Sequence, residues 1–110
     1  LGAARPNIRE PGDEAYFLPQ AQAIRRAAPS VPLILVGGMR SPEIMEEILE
    51  AGTADYFSMS RPLIREPGLP ARWKSGDLRR AACISCLGCF GPARKGEGIR
   101  CVQAAGPAEA

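Results

Sequence analysis

The continuous apolar run from Val31 to Val36 restricts the fold of this chain more than any other feature. Prolines and the pair Gly37-Gly38 bound it, and such short runs are typical of strands buried on both faces of a parallel sheet. Strand character returns from Ala54 to Met59, after a segment with helical spacing. The sequence therefore predicts a β-α-β unit between Leu33 and Met59, a motif that is right-handed in nearly all known cases.

Three helices are predicted around this unit. The first lies within Glu14 to Ala28 and starts near Phe17, because a proline two residues later is tolerated only in a first helical turn. The second begins at Ser41-Pro42-Glu43, with Ser41 as the N-cap, and ends at Gly52. A short third helix near Leu69 to Ser75 precedes a loop that carries the cysteines.

Two strands are too few for a free-standing parallel sheet, which needs helices on both faces and protected edges. At 110 residues the chain forms one small domain at most. We therefore predict an α/β fold in which the chain is the C-terminal fragment of a (β/α)8 TIM barrel, followed by a cysteine-rich metal-binding loop. The predicted division is residues 1–80 for the last strand-helix units, 81–102 for the loop and 103–110 for a disordered tail. Without the earlier strands, such a chain is expected to be molten, oligomeric or prone to aggregation.

Composition excludes several classes of function. The chain has no histidine, which removes Ser/His, Cys/His and histidine–metal arrangements. Its 14 Lys and Arg against 12 Asp and Glu give only +2, so charge implies neither a nucleic acid nor a membrane as partner. No apolar stretch approaches the roughly 18 residues of a membrane span, and the segment from Leu1 to Asp13 does not resemble a signal peptide. We therefore expect a cytoplasmic context and interpret Leu1 as a cut or truncated end.

Two predicted turns at the ends of the strands combine into a candidate anion site. Gly37 and Gly38 follow the first strand, and Ser60 and Arg61 follow the second. Because adjacent parallel strands lie about 4.8 Å apart, both turns open onto the same edge of the sheet. Glycine lets backbone N–H groups approach a ligand, and a guanidinium suits phosphate. The alternatives are an ordinary turn at the glycines and an ion pair between Arg61 and Glu66.

Four cysteines within nineteen residues form the second candidate site. Cys83, Cys86 and Cys89 follow one another at gaps of two residues, and Cys101 follows Cys89 after a gap of eleven residues. In a cytoplasmic chain this density indicates a metal before disulfides, and the spacing favours a [4Fe–4S] cluster over the paired knuckles of zinc sites. Zinc and free or disulfide-bonded thiols stay open as alternatives.

In order along the chain, several motifs resemble the C-terminal third of the NADH:flavin oxidoreductases. These are relatives of Old Yellow Enzyme and include 2,4-dienoyl-CoA reductase and trimethylamine dehydrogenase. The likeness covers about residues 10–103. The motifs, besides the cysteine run, are Glu14-Ala-Tyr-Phe-Leu-Pro19, Val36-Gly-Gly-Met-Arg-Ser-Pro42, Ala54-Asp55 and Ser58-Met-Ser-Arg-Pro-Leu-Ile-Arg-Glu-Pro67.

The resemblance implies an FMN-binding barrel in which the flavin takes hydride from NAD(P)H and passes it to an activated alkene or similar acceptor. It implies that the FMN phosphate lies at Gly37, Gly38, Ser60 and Arg61, although many members have glycine in place of Ser60. It also implies a [4Fe–4S] cluster that exchanges electrons with the flavin. Its ligands, by order, are Cys83, Cys86, Cys89 and Cys101.

The family's substrate-anchoring and proton-donating residues lie upstream of this chain, so we assign no catalytic residue and expect no turnover by the chain alone. The implied partners are FMN and a small-molecule acceptor, with self-association open. The competing interpretation is a non-enzymatic module, in which residues 81–102 bind zinc or a cluster for folding or partner docking.

Overall fold

The computed structural model describes residues 4–104 and contains two strands and five α-helices. A 3-10 turn at Pro11–Asp13 precedes them. The predicted tail falls largely on residues 105–110, which lie outside the described residues, as do residues 1–3. The elements are α1 (Leu18–Ala27), β1 (Ile34–Val36), α2 (Pro42–Glu50), β2 (Tyr56–Ser58), α3 (Arg61–Arg65), α4 (Leu69–Lys74) and α5 (Phe90–Arg94). This mixture of helices with a small sheet is compatible with the predicted α/β class.

The predicted β-α-β unit is confirmed. β1 and β2 pair in parallel, with Leu35 opposite Phe57 in the register, and α2 connects them. Both strands are shorter than predicted, partly because the proline before Leu33 has no N–H to donate to a ladder. The Leu33 N–H instead donates to the Asp55 carboxylate at 2.9 Å, and Arg25 of α1 donates to the same carboxylate at 2.6 Å. These bonds tie α1 to the start of both strands.

One face of the sheet packs on the helices, and residues 4–104 leave the other face uncovered. Leu35 is buried in a core that includes Ala21 of α1 and Ile48 of α2. On the opposite face, Ile34 is 63% exposed and Val36 is 50% exposed. The expectation that the first strand is buried on both faces is therefore wrong for the described residues. The reason is that the described helices supply apolar partners to one side only.

The helix ends follow the sequence with one exception. α1 begins at Leu18 and places its proline in the first turn, as predicted. Gly52 follows α2 with a φ of +73°, the left-handed conformation that ends many helices. Ser41 occupies the N-cap position of α2, but its side chain makes no capping bond and donates to the Glu14 carboxylate at 2.7 Å.

Two helices were not predicted. α3 and α5 are five residues each, and both lie in segments that the sequence pattern assigns to loops. The predicted short helix near Leu69 is present as α4. None of the helices in residues 4–104 is long and apolar enough to cross a membrane.

Candidate functional site

The turns after β1 and β2 meet at one cavity, here called the glycine–arginine cavity. Gly37 and Gly38 line it from the first turn, and Ser60 and Arg61 line it from the second. The cavity opens to solvent. The parallel pairing of the strands brings these turns together, because the carboxyl ends of parallel strands share one edge of a sheet. All four residues predicted for the anion site therefore lie around the same space.

Both glycines are required by their surroundings. Gly37 and Gly38 have φ values of +116° and +76°, which residues with a side chain rarely adopt. A Cβ added at Gly38 would lie 2.7 Å from the ring of Tyr16, and one at Gly37 would lie 3.0 Å from the rings of Tyr16 and Phe17. Those two rings also line the cavity. The turn therefore brings bare backbone to the cavity wall, which is the geometry that a bound anion needs.

Arg61 enters the cavity with its charge uncompensated by any carboxylate of residues 4–104. Its guanidinium Nη1 donates to the backbone carbonyl of Arg5 at 2.8 Å. Glu66, the acid considered as its partner, instead accepts from Arg72 at 3.1 Å and from the N–H of Ala82 at 2.7 Å. An unneutralised guanidinium beside a glycine turn favours an anionic ligand.

All four cysteines line a second cavity, here called the cysteine cavity. Arg61 lines this cavity too, so the two cavities share that side chain. Ser85 and Leu87 adopt φ values of 60° and 62°, and these left-handed residues bend the chain between successive cysteines. Cys89 is the N-cap of α5. The sulfur atoms around this cavity belong to Cys83, Cys86, Cys89 and Cys101.

The environments of two thiols differ. The pKa of Cys86 is lowered, chiefly because the Gly88 N–H donates to its sulfur at 3.4 Å, and Gln103 Nε2 adds a second donor at 3.7 Å. Burial raises the pKa of Cys89. A Cβ at Gly88 would lie 2.6 Å from Cγ2 of Val102, so the loop closes tightly there. Gln103, assigned by sequence to the tail, thus contacts the cysteine loop.

The cysteine cavity has four sulfur atoms from one loop region around a single space. Within residues 4–104, no three His, Cys, Asp or Glu side chains are placed so that they could hold a metal ion. A zinc ion needs all of its sulfur ligands at about 2.3 Å, whereas a polynuclear iron–sulfur centre keeps its cysteines farther apart. Here the four cysteines surround a common cavity, and all four are free. Cysteine thiolates are the ligand type by which proteins hold iron–sulfur clusters.

Sequence reasoning missed a buried polar network beneath both cavities. Arg40 is 1% exposed and Glu14 is 6% exposed. Glu14 accepts from the backbone N–H of Arg40 at 2.9 Å and lies 3.5 Å from Nε of Arg80. Burial lowers the pKa of the Arg40 guanidinium, against the opposing effect of nearby Cys83. Both residues stand in the motifs quoted above, but nothing local marks them as buried, because their partners are distant in sequence.

Several known proteins are similar to this chain in sequence. The chain is 35% identical over 92 residues to an NADH oxidase of Thermoanaerobacter brockii, covering 78% of this chain and 14% of that protein. It is 34% identical over 80 residues to a 4,4'-dithiodibutanoate disulfide reductase of Rhodococcus erythropolis, covering 73% and 19%. The chain is homologous to part of the NADH:flavin oxidoreductases. An NADH-dependent flavin oxidoreductase of Neonectria is 46% identical over 57 residues, or 52% of this chain and 7% of that protein.

These relatives are named as oxidases or reductases, consistent with this chain being part of an enzyme. The chain spans less than a fifth of the length of each of the three. No family model matches the chain, and no solved structure matches it. The curated relatives confirm the resemblance to the family.

Proposed function

We propose that this chain is the C-terminal portion of an FMN-dependent NAD(P)H oxidoreductase and supplies the phosphate pocket for its flavin. The observation that carries the proposal is the glycine–arginine cavity, where Gly37, Gly38, Ser60 and Arg61 face one space. When bound, FMN would supply hydride transfer from NAD(P)H to an activated alkene or a similar small acceptor. The names of the relatives, which include NADH-dependent flavin oxidoreductases, support the flavin and the nicotinamide donor.

In this proposal the chain's own residues bind and orient the cofactor. The bare backbone at Gly37 and Gly38 donates N–H groups to the phosphate, in a turn that the rings of Tyr16 and Phe17 keep free of side chains. Arg61 neutralises the phosphate charge, for which it is available because no carboxylate of residues 4–104 pairs with it. Ser60 contributes a hydroxyl from the end of β2.

The uncovered sheet face supports the barrel that was predicted for residues 1–80. Ile34 and Tyr56 are each 63% exposed and lie side by side in the strand register. Large apolar side chains on the inward face of parallel strands are what a closed barrel buries. We therefore propose that earlier strands of the full-length protein cover this face, with self-association of the complete enzyme as a further property to measure.

For residues 81–102 we propose a [4Fe–4S] cluster bound by the four cysteines, which would supply one-electron exchange with the flavin. Arg61 lines both cavities, which supports electron exchange between a flavin in one cavity and a cluster in the other. We also propose a cytoplasmic location, because its reducing conditions keep cysteine thiols free to bind a cluster. The second candidate function is a non-enzymatic zinc or cluster module, which is favoured only by the cysteine loop and leaves the glycine–arginine cavity unexplained.

The decisive experiment is anaerobic purification of the full-length protein, with identification of the released flavin and analysis of iron, zinc and acid-labile sulfide. The proposal expects FMN together with iron and sulfide. Zinc without iron, sulfide or flavin would support the non-enzymatic module and refute the proposal. FMN without iron would retain the flavin function and refute the cluster.

A further inference from the structure

Arg40 joins the two cavities. Its side chain lines the glycine–arginine cavity, and its guanidinium reaches the cysteine loop. Nη2 donates to Oγ of Ser85 at 3.0 Å and lies 3.6 Å from Sγ of Cys83, while Nη1 donates to the carbonyl of Met39 at 2.8 Å. Ser85 is itself buried, at 1% exposure. The sulfur of Cys83, which is partly buried, therefore has a buried guanidinium donor beside it.

The guanidinium of Arg40 is buried, and no carboxylate of residues 4–104 accepts a hydrogen bond from it. Glu14 bonds to the backbone N–H of Arg40 and not to its guanidinium. Nε of Arg40 is buried and has no hydrogen-bond partner among the described residues. A buried cation is costly unless an anion compensates it. Among the acceptors to which the guanidinium donates within residues 4–104, only the sulfur of Cys83 can carry negative charge.

We propose that Arg40 is a positioning residue that raises the reduction potential of the cysteine-bound centre by donating to the Cys83 sulfur. The inference rests on the proposed cluster at the four cysteines. A donor and a positive charge beside a ligand sulfur stabilise the reduced, more negative form of the centre. The Arg40 guanidinium also donates to the carbonyl of Met39, the residue directly after the glycine turn. The loop proposed to bind the phosphate therefore also carries the arginine proposed to raise the reduction potential of the cluster.

The test is a one-electron redox titration of the cluster in the full-length protein, followed by electron paramagnetic resonance, for wild type and Arg40→Gln. Glutamine removes the positive charge, and its amide N–H donors sit on a shorter side chain. We expect reduction to become about tenfold less favourable, which for a one-electron couple is ~59 mV lower. Arg25→Gln is the matched control, because it also removes one arginine. Arg25 lies on α1, and its charge is balanced by the carboxylate of Asp55. Its potential should equal that of wild type.

Arg40→Lys covers the case in which the glutamine variant does not fold. Lysine keeps the charge but loses the fork that spans Met39 and Cys83, so its potential should fall between those of wild type and Arg40→Gln. A potential equal to wild type in either folded Arg40 variant would overturn the inference while the cluster itself stands. A wild-type protein without iron would instead overturn the proposed cluster, so the two failures are distinguishable.

Discussion

Arg61 offers the sharpest test of the flavin site, because FMN and riboflavin differ only by the phosphate that it is proposed to bind. In Arg61→Ala, the affinity for FMN should fall and the affinity for riboflavin should not. A hydrogen bond to a charged group contributes about 1.5–3 kcal/mol. At ~1.4 kcal/mol per tenfold, that range corresponds to about 10- to 150-fold weaker FMN binding.

The structure favours the lower half of that range. Arg61 is only partly buried, and one of its N–H groups already donates to the carbonyl of Arg5. Its removal therefore takes away only part of the hydrogen bonding proposed for the phosphate. The assay is titration of the flavin-free full-length protein with each flavin, followed by fluorescence. Arg26→Ala, at an exposed position of α1, is the control for removal of one positive charge. Equal losses for FMN and riboflavin, or no loss for either, would refute the phosphate role.

Three further substitutions test the packing around the sites. Gly38→Ala should weaken FMN binding about tenfold or more, because alanine at a positive φ costs about 1–2 kcal/mol and its Cβ would meet the ring of Tyr16. The control Gly12→Ala, whose Cβ would meet nothing within 4 Å, should leave FMN binding unchanged. Gly88→Ala should lower the iron content per chain because its Cβ would clash with Cγ2 of Val102, and Gly91→Ala, whose Cβ meets nothing within 4 Å, should leave it unchanged. The pKa of Asp55 is lowered by the backbone N–H and the arginine that bind it, so its stabilising effect is full at neutral pH and is lost as pH falls through the folded pKa. Asp55→Asn should therefore flatten the acid dependence of unfolding measured by circular dichroism, and an unchanged profile would contradict that assignment.

The β-α-β unit was predictable because its signals are local. An apolar run ended by two glycines and a Ser-Pro-Glu helix start each indicate structure within a few residues. The meeting of Gly38 and Arg61 at one cavity was also predictable, since it follows from the rule that parallel strands end at the same edge. By contrast, α3 and α5 are too short to display a helical period, so the sequence pattern could not distinguish them from loops.

The buried network was beyond the reach of the sequence. Arg40 meets Cys83 across 43 positions of chain, and Glu14 meets Arg80 across 66. Charged residues are ordinarily exposed, so no local rule predicts an arginine at 1% exposure. The same holds for Ser41, whose hydroxyl satisfies Glu14 instead of its own helix because the carboxylate is buried beside it. Tertiary contacts, not propensity, decide these positions.

The most direct measurement is a crystal structure of the full-length protein with FMN bound. The phosphate should lie within about 3 Å of the backbone N–H of Gly38 and of the Arg61 guanidinium, at the shared edge of β1 and β2. A flavin whose phosphate lies elsewhere, with the glycine turn and Arg61 making no contact to it, would contradict the account.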